Sequence, residues 1–193
     1  MSAEEYRFKP VTAESWGEFE ELFQSRGSPS FCWCMVWRAT PEESGRTDGA
    51  GRKAFMKERI DRGTPVGILA YHHGRPIAWC SIAPKSTYRR LTKADRSTGD
   101  ERVWSIACFF VRREHRNQGL TRRLIRAAVD YARRSGARTV EAYPVDADSP
   151  SYRFMGYVNT FGALGFREAG RTGKRRHIMS LDLQAAGGAD ETR

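Results

Sequence analysis

The residues best placed to do chemistry surround Gly119. Arg112 to Gly119 reads RREHRNQG. This segment is basic, ends in a glycine, and runs straight into an amphipathic stretch. Guanidinium groups form charge-assisted, often bidentate bonds with phosphate oxygens. If a helix opens at Gly119, its first-turn amides have no intrahelical partner, and the helix dipole favours negative charge there. Gly119 also lets the backbone approach a ligand closely. The expected chemistry is an anion cradle holding a phosphate-bearing cofactor.

Two elements must position that turn. Val103 to Val111 is a continuous apolar run, too short for a long helix and rich in aromatic and β-branched residues, which predicts a buried strand. After the turn, Leu120, Leu124, Ala128 and Tyr131 recur at helical spacing, and Gly136 supplies the stop. The unit is therefore strand, basic turn, helix.

The rest of the chain supplies further elements in order. Residues 5–9 read as a short strand. Thr12 or Ser15 caps a helix carrying Trp16, Phe19, Leu22 and Phe23. Residues 31–38 (FCWCMVWR) form an aromatic segment after a Ser/Pro/Gly break. They serve either as a buried connector or as a pocket wall through Phe31, Trp33 and Trp37. A loop over 42–51 precedes a helix over 52–62. Strands over 66–71 and 77–83 flank a turn at 72–75, where His72 and His73 read as exposed. Residues 84–102 form a long polar loop of the kind often used as a lid. A strand over 139–143, a helix over 151–164 and a strand pair at 166–170 and 177–183 complete the pattern. The expected fold is α/β, a mixed sheet with helices on both faces. It forms one domain over 1–184, followed by a flexible tail at 185–193.

Composition narrows the classes. The net charge is +10, from 33 basic and 23 acidic residues. Nine arginines lie between Arg112 and Arg138, against Glu114 and Asp130. That balance suits a polyphosphate cofactor, an acidic partner or nucleic acid. Arg122, Arg126 and Arg133 share one helix face, so a basic nucleic-acid-binding module is the alternative class; no reader motif accompanies it. No apolar run reaches transmembrane length, and the N-terminal residues lack a signal-peptide layout. A cytoplasmic protein without membrane attachment is expected, and a dimer is one admissible state. The four cysteines, Cys32, Cys34, Cys80 and Cys108, have no zinc-site spacing, so no metal is expected.

The strand Phe109-Phe110-Val111, the turn, and Arg116-Asn117-Gln118-Gly119-Leu120-Thr121 together resemble the acyl-CoA site of the GNAT N-acetyltransferases. That family's signature, Q/R-x-x-G-x-G/A, lies at a strand-to-helix turn. Ala163-Leu164-Gly165-Phe166 resembles the family's Gly-Phe before its last hairpin. The resemblance spans about residues 5–183. It implies a mostly antiparallel sheet with splayed central strands. It also implies acetyl-CoA as acyl donor, with the backbone of Phe109, Phe110 and Val111 on pantetheine and Arg116 to Thr121 on pyrophosphate. Thr121 departs from the family's small residue at the last motif position.

The resemblance further implies direct transfer of an acetyl group to an amine, and it points to catalytic candidates. Many members carry a general-acid Tyr four residues before the Gly of Gly-Phe. Here that position is Phe161, and Tyr157, one turn earlier, is the substitute, with Tyr152 as another. The acceptor amine must lose a proton. Glu141 is the acid in the adjacent strand and is either a cleft carboxylate or an outward-facing residue; Asp146 and Asp148 are alternatives. Cys108 is either a core thiol or an acyl-accepting nucleophile. The aromatic cluster Phe31, Trp33 and Trp37, with Trp79 and Trp104, suggests a partly apolar pocket suited to a small-molecule amine acceptor. Phe161 also motivates a third reading, a protein of this fold that binds CoA without classical transfer.

Overall fold

The computed structural model describes residues 6–45, 48–89, 91 and 102–184. The expected tail at 185–193, and residues 90 and 92–101 of the expected 84–102 loop, lie outside the described residues. The elements are β1 (Arg7–Pro10), α1 (Trp16–Gln24), α2 (Pro41–Ser44), α3 (Gly49–Asp61), β2 (Ile68–His72), β3 (Arg75–Pro84), β4 (Val103–Val111), α4 (Leu120–Arg134), β5 (Thr139–Ala142), α5 (Val158–Gly162), β6 (Arg167–Thr172) and β7 (Arg176–Asp182). One seven-stranded sheet joins the strands in the order β1-β2-β3-β4-β5-β7-β6. Every pairing is antiparallel except β4 with β5, the two strands joined by the α4 crossover. The expected mixed, mostly antiparallel sheet is the fold observed.

Helices cover both faces. On one face α4 buries Leu120, Leu124, Ile125, Ala128, Val129 and Ala132 against Ile82, Ile106, Val140 and Ala142. On the other, Phe19, Leu22 and Phe23 of α1 and Met56 and Ile60 of α3 pack on Leu69, Trp79, Cys108 and Phe110. Strand β4 serves both layers because of a bulge. Ser81 pairs with Cys108 and Ile82 with Ile106, which leaves Ala107 as an extra residue in β4. A bulge resets the two-residue alternation. Trp104 and Ile106 therefore face α4 and so do Phe109 and Val111, while Cys108 and Phe110 turn toward α1.

Strand β4 also outruns its parallel neighbour. It pairs with β3 as far as Val111, but with β5 only over Val103–Ile106 against Thr139–Ala142. Pro144 follows and lacks an N–H donor to extend the ladder. The two strands diverge beyond Ile106, and a wedge opens along the outer half of β4.

Three expectations change in detail. The helix expected over 151–164 is a 3-10 turn at Arg153–Met155 and the short α5. Tyr152 and Gly156 adopt left-handed φ values of 60° and 87°, which break a continuous right-handed helix. A Cβ at Gly156 would lie 2.9 Å from the Phe161 ring, so glycine also permits the packing there. The expected 42–51 loop holds α2, whose Thr40 and Glu43 form a reciprocal capping box, and the start of α3, capped by Asp48. The β2–β3 turn tightens to His73-Gly74, both left-handed, as a type I′ hairpin requires.

Candidate active site

The turn after β4 arranges the anion cradle as a local consequence of sequence. Asn117 and Gly119 are left-handed, with φ values of 60° and 73°. Gly119 is the N-cap of α4. Its carbonyl accepts from the Arg122 and Arg123 amides, so the amides of Leu120 and Thr121 precede the first intrahelical bonds. A Cβ at Gly119 would meet no protein atom within 4 Å. The glycine serves its φ value and leaves open space above the helix end. Arg116 Nε donates to the Val111 carbonyl at 2.9 Å and pins the end of β4 to the turn. Gln118 donates to the Glu114 carbonyl at 3.0 Å and accepts from the Tyr6 hydroxyl at 3.3 Å.

A cavity of about 720 Å3 begins at this cradle. Its wall includes Arg116, Asn117, Gly119, Leu120 and Thr121, then Cys108 to Val111 along the outer half of β4. It continues past Tyr157, Arg153 and Phe154 to Phe31, Val36 and Trp37. The large exposed apolar residues gather at this end. Phe31 is 71% exposed, Val36 48%, Phe154 42% and Tyr152 39%. The Tyr152 ring lies 6.3 Å from Trp37 and 6.2 Å from Phe154.

The aromatic segment therefore divides. Phe31 and Trp37 reach the cavity. Trp33 takes a left-handed φ of 47° and turns its ring into the core, where it stacks on Phe23 at 5.4 Å and Trp16 at 6.2 Å. Its expected place in a pocket wall gives way to a packing role beneath that wall.

The catalytic candidates separate as well. Tyr157 and Cys108 line the cavity. The Tyr157 hydroxyl accepts from Arg153 Nε at 2.8 Å. Phe161 is fully buried, edge-on to Phe166 at 5.1 Å. Glu141 stands elsewhere. Its carboxylate pairs with Lys85 Nζ at 2.8 Å and accepts from the Tyr143 hydroxyl at 2.7 Å. That pairing ties the end of β3 to β5. Asp146 lies 3.2 Å from Nε2 of the buried His177, whose Nδ1 is 3.1 Å from Glu168. Replacing Glu141 with Gln is expected to lower the melting temperature by about 2–4 °C, equivalent to about 1 kcal/mol. Binding of CoA is expected to be unchanged; a loss of turnover with unchanged melting would return Glu141 to the chemistry.

The cavity wall shows no carboxylate among the described residues, and its charged groups are Arg116 and Arg153. No group of three potential metal ligands occurs among the described residues, and no described helix is long and apolar enough to cross a membrane.

The model of the Acetyltransferase (GNAT) family matches residues 11–157. The chain belongs to the GNAT acetyltransferase family. No curated protein matches it. Solved structures share the fold. An N-acetyltransferase from Staphylococcus aureus Mu50 is similar at a TM-score of 0.57 and 13% identity, covering 93% of this chain and 99% of that one. The putative acetyltransferase yncA from Salmonella typhimurium, determined with its cofactor acetyl-CoA, is similar at 0.56 and 18% identity, covering 97% and 99%. AAC(6')-Ib in complex with ribostamycin and coenzyme A is similar at 0.62 and 16% identity, again covering 97% and 99%. As a GNAT member, this chain carries the family's strand–turn–helix unit in the setting its sequence implies.

Proposed function

We propose that the protein transfers an acetyl group from acetyl-CoA to the amine of a small, apolar-bodied molecule. The observation that carries this reading is the continuity of one cavity. It runs from the α4 N-terminus along the unpaired edge of β4 to an aromatic mouth. In this reading the amides of Gly119, Leu120 and Thr121 and the Arg116 guanidinium hold the pyrophosphate. The backbone of Phe109 to Val111 holds pantetheine where β5 has turned away. The thioester then lies near Cys108 and Tyr157. Phe31, Val36, Trp37 and Phe154 receive the acceptor. An acceptor bearing several positive charges would meet no counter-carboxylate among the described lining residues, which favours an apolar body.

Tyr157 is the proton donor to the departing CoA thiolate in this reading, with Arg153 orienting the phenol. Replacing Tyr157 with Phe is expected to lower kcat about 10–100-fold while leaving the KM for acetyl-CoA near its starting value. Release of CoA thiol is the readout, and an unchanged kcat would remove Tyr157 from the chemistry. The wider reading is tested with a panel of primary amines. Thiol release with apolar-bodied amines, above the rate without amine, is expected. Calorimetry showing no acetyl-CoA binding would overturn it.

A further inference from the structure

The far end of the cavity carries positive charge with no counter-charge among the described residues. Arg153 enters the wall there beside Phe154 and Tyr157, while the wall's other arginine, Arg116, stands at the cradle. Arg153 Nε donates to the Tyr157 hydroxyl at 2.8 Å, and neither Nη group bonds a described residue. Two more arginines reach the same turn, from the β6–β7 connection and the first residue of β7. Arg175 Nη1 donates to Ser151 Oγ at 2.9 Å, and Arg176 Nη1 donates to the Leu91 carbonyl at 2.9 Å. The Arg176 guanidinium lies over two rings, 4.8 Å from the centre of Trp37 and 5.4 Å from that of Tyr152. All these partners are neutral. Arg59 and Arg112, by contrast, have Glu43 and Glu21 as counter-charges. The carboxylates nearest this turn in sequence stand apart. Asp146 and Glu168 flank His177, and Asp148 lines no part of the cavity.

Charges and rings fall into one pattern. Guanidinium donors form a planar fork that matches the two oxygens of a carboxylate. With Nε committed to the phenol, the two Nη groups of Arg153 supply that fork. A carboxylate seated on them lies next to the Tyr157 hydroxyl, because one guanidinium joins the two. The transferase reading puts the thioester near Tyr157. The amine of such an acceptor must therefore sit close to its carboxylate, and an amine on the adjacent carbon meets that demand. Phe31, Trp37 and Phe154 then face the remainder of the molecule, as flat apolar surface with few rotamers to freeze. A cation in the same place would meet Arg153 and Arg176 with no described carboxylate to offset them.

We infer that the acceptor is an α-amino acid with a large apolar side chain, whose carboxylate is held by Arg153 and whose side chain rests on Phe31, Trp37 and Phe154. This rests on the reading that the cavity is an acetyl-transfer site. The α-ammonium first gives one proton to solvent. Its nitrogen then forms a bond to the acetyl carbonyl carbon, and the bond from that carbon to the CoA sulfur breaks. The CoA thiolate takes the Tyr157 phenol proton, and the phenolate takes a second proton from the nitrogen. The sum is acetyl-CoA plus amino acid giving N-acetyl amino acid, CoA and the proton already lost to solvent. Arg176 adds a second positive charge at the mouth, which favours entry of the carboxylate.

The test uses the purified full chain, acetyl-CoA and three acceptor pairs: L-leucine, L-phenylalanine and L-tryptophan, each beside its carboxamide. The carboxamide keeps the amine and the shape and removes the negative charge. Release of CoA thiol is expected to favour at least one acid over its amide by about 10–100-fold in kcat/KM. Arg153→Gln is expected to erase that preference while leaving the KM for acetyl-CoA near its starting value. A merely structural role for Arg153 would slow acid and amide alike, so loss of turnover with the preference retained overturns the inference. If calorimetry shows acetyl-CoA bound and no acid outruns its amide, the inference is overturned and the transferase reading stands. If L-phenylalanine binds the parent chain but not Arg153→Gln, and acetyl-CoA does not bind at all, the anion site is supported and the transferase reading fails. Should Arg153→Gln not fold, the acid-to-amide ratios of the parent chain still decide the matter.

Discussion

Replacing Gly119 with Asp is expected to weaken CoA binding by about 100-fold or more while leaving the fold in place. No protein atom lies within 4 Å of a Cβ at this position, so the side chain has room. Aspartate is among the non-glycine residues that tolerate the φ of 73° found there, at a cost of about 1 kcal/mol. The carboxylate enters the open space over the Leu120 and Thr121 amides, where the phosphates are proposed to sit. There it takes the donors and repels the ligand. Replacing Gly119 with Asn matches the shape without the charge and is expected to cost about tenfold, so the pair of variants separates charge from bulk. Calorimetry reads the affinities and a thermal melt checks the fold. Wild-type affinity in the aspartate variant would end the assignment of this turn to the pyrophosphate.

A single methyl group added at Gly67 is expected to act strongly on stability. Gly67 links α3 to β2, and a Cβ there would lie 2.2 Å from the Cys80 carbonyl oxygen and 2.4 Å from the Trp79 ring. Neither neighbour can yield. The carbonyl belongs to β3 inside the sheet, and the Trp79 ring is fully buried, edge-on to Phe19 at 5.0 Å and Phe23 at 5.8 Å. Gly67→Ala is therefore expected to cost about 3 kcal/mol or more, lowering the melting temperature by roughly 6–12 °C. A melting temperature within about 2 °C of the parent protein would show that the sheet can widen at this point.

The sequence made local features legible and left tertiary ones dark. The apolar run of β4, the glycine at its turn and the amphipathic period of α4 each follow from neighbouring residues. The unit from Val103 to Arg134 could therefore be read almost residue by residue. The hairpin at His73-Gly74 is legible for the same reason. The break at Tyr152 and Gly156 is not, because Tyr152 carries no local sign of a left-handed backbone. Trp33 and Phe31 look alike in sequence, and one backbone dihedral sends the first into the core. Glu141 was legible as an acid in an apolar strand. Its partner Lys85 is distant in sequence and arrives through the β3–β4–β5 arrangement. Arg38 left one unread signal. Arg38 closes the apolar segment FCWCMVWR, and the groups it donates to when buried, Ser81, Val66 and Tyr88, are distant in sequence.

The short contact between β4 and β5 has a mechanical side. Four strands lie on one side of that contact and three on the other. The two halves of the sheet meet edge to edge only over Val103–Ile106 and Thr139–Ala142, so the molecule is built like a book with a short spine. A guest pressed into the gap touches both covers and works as a splint. Its grip is then felt by the whole sheet, and at a concentration 100 times its Kd it adds about 2.7 kcal/mol to the work of opening the fold.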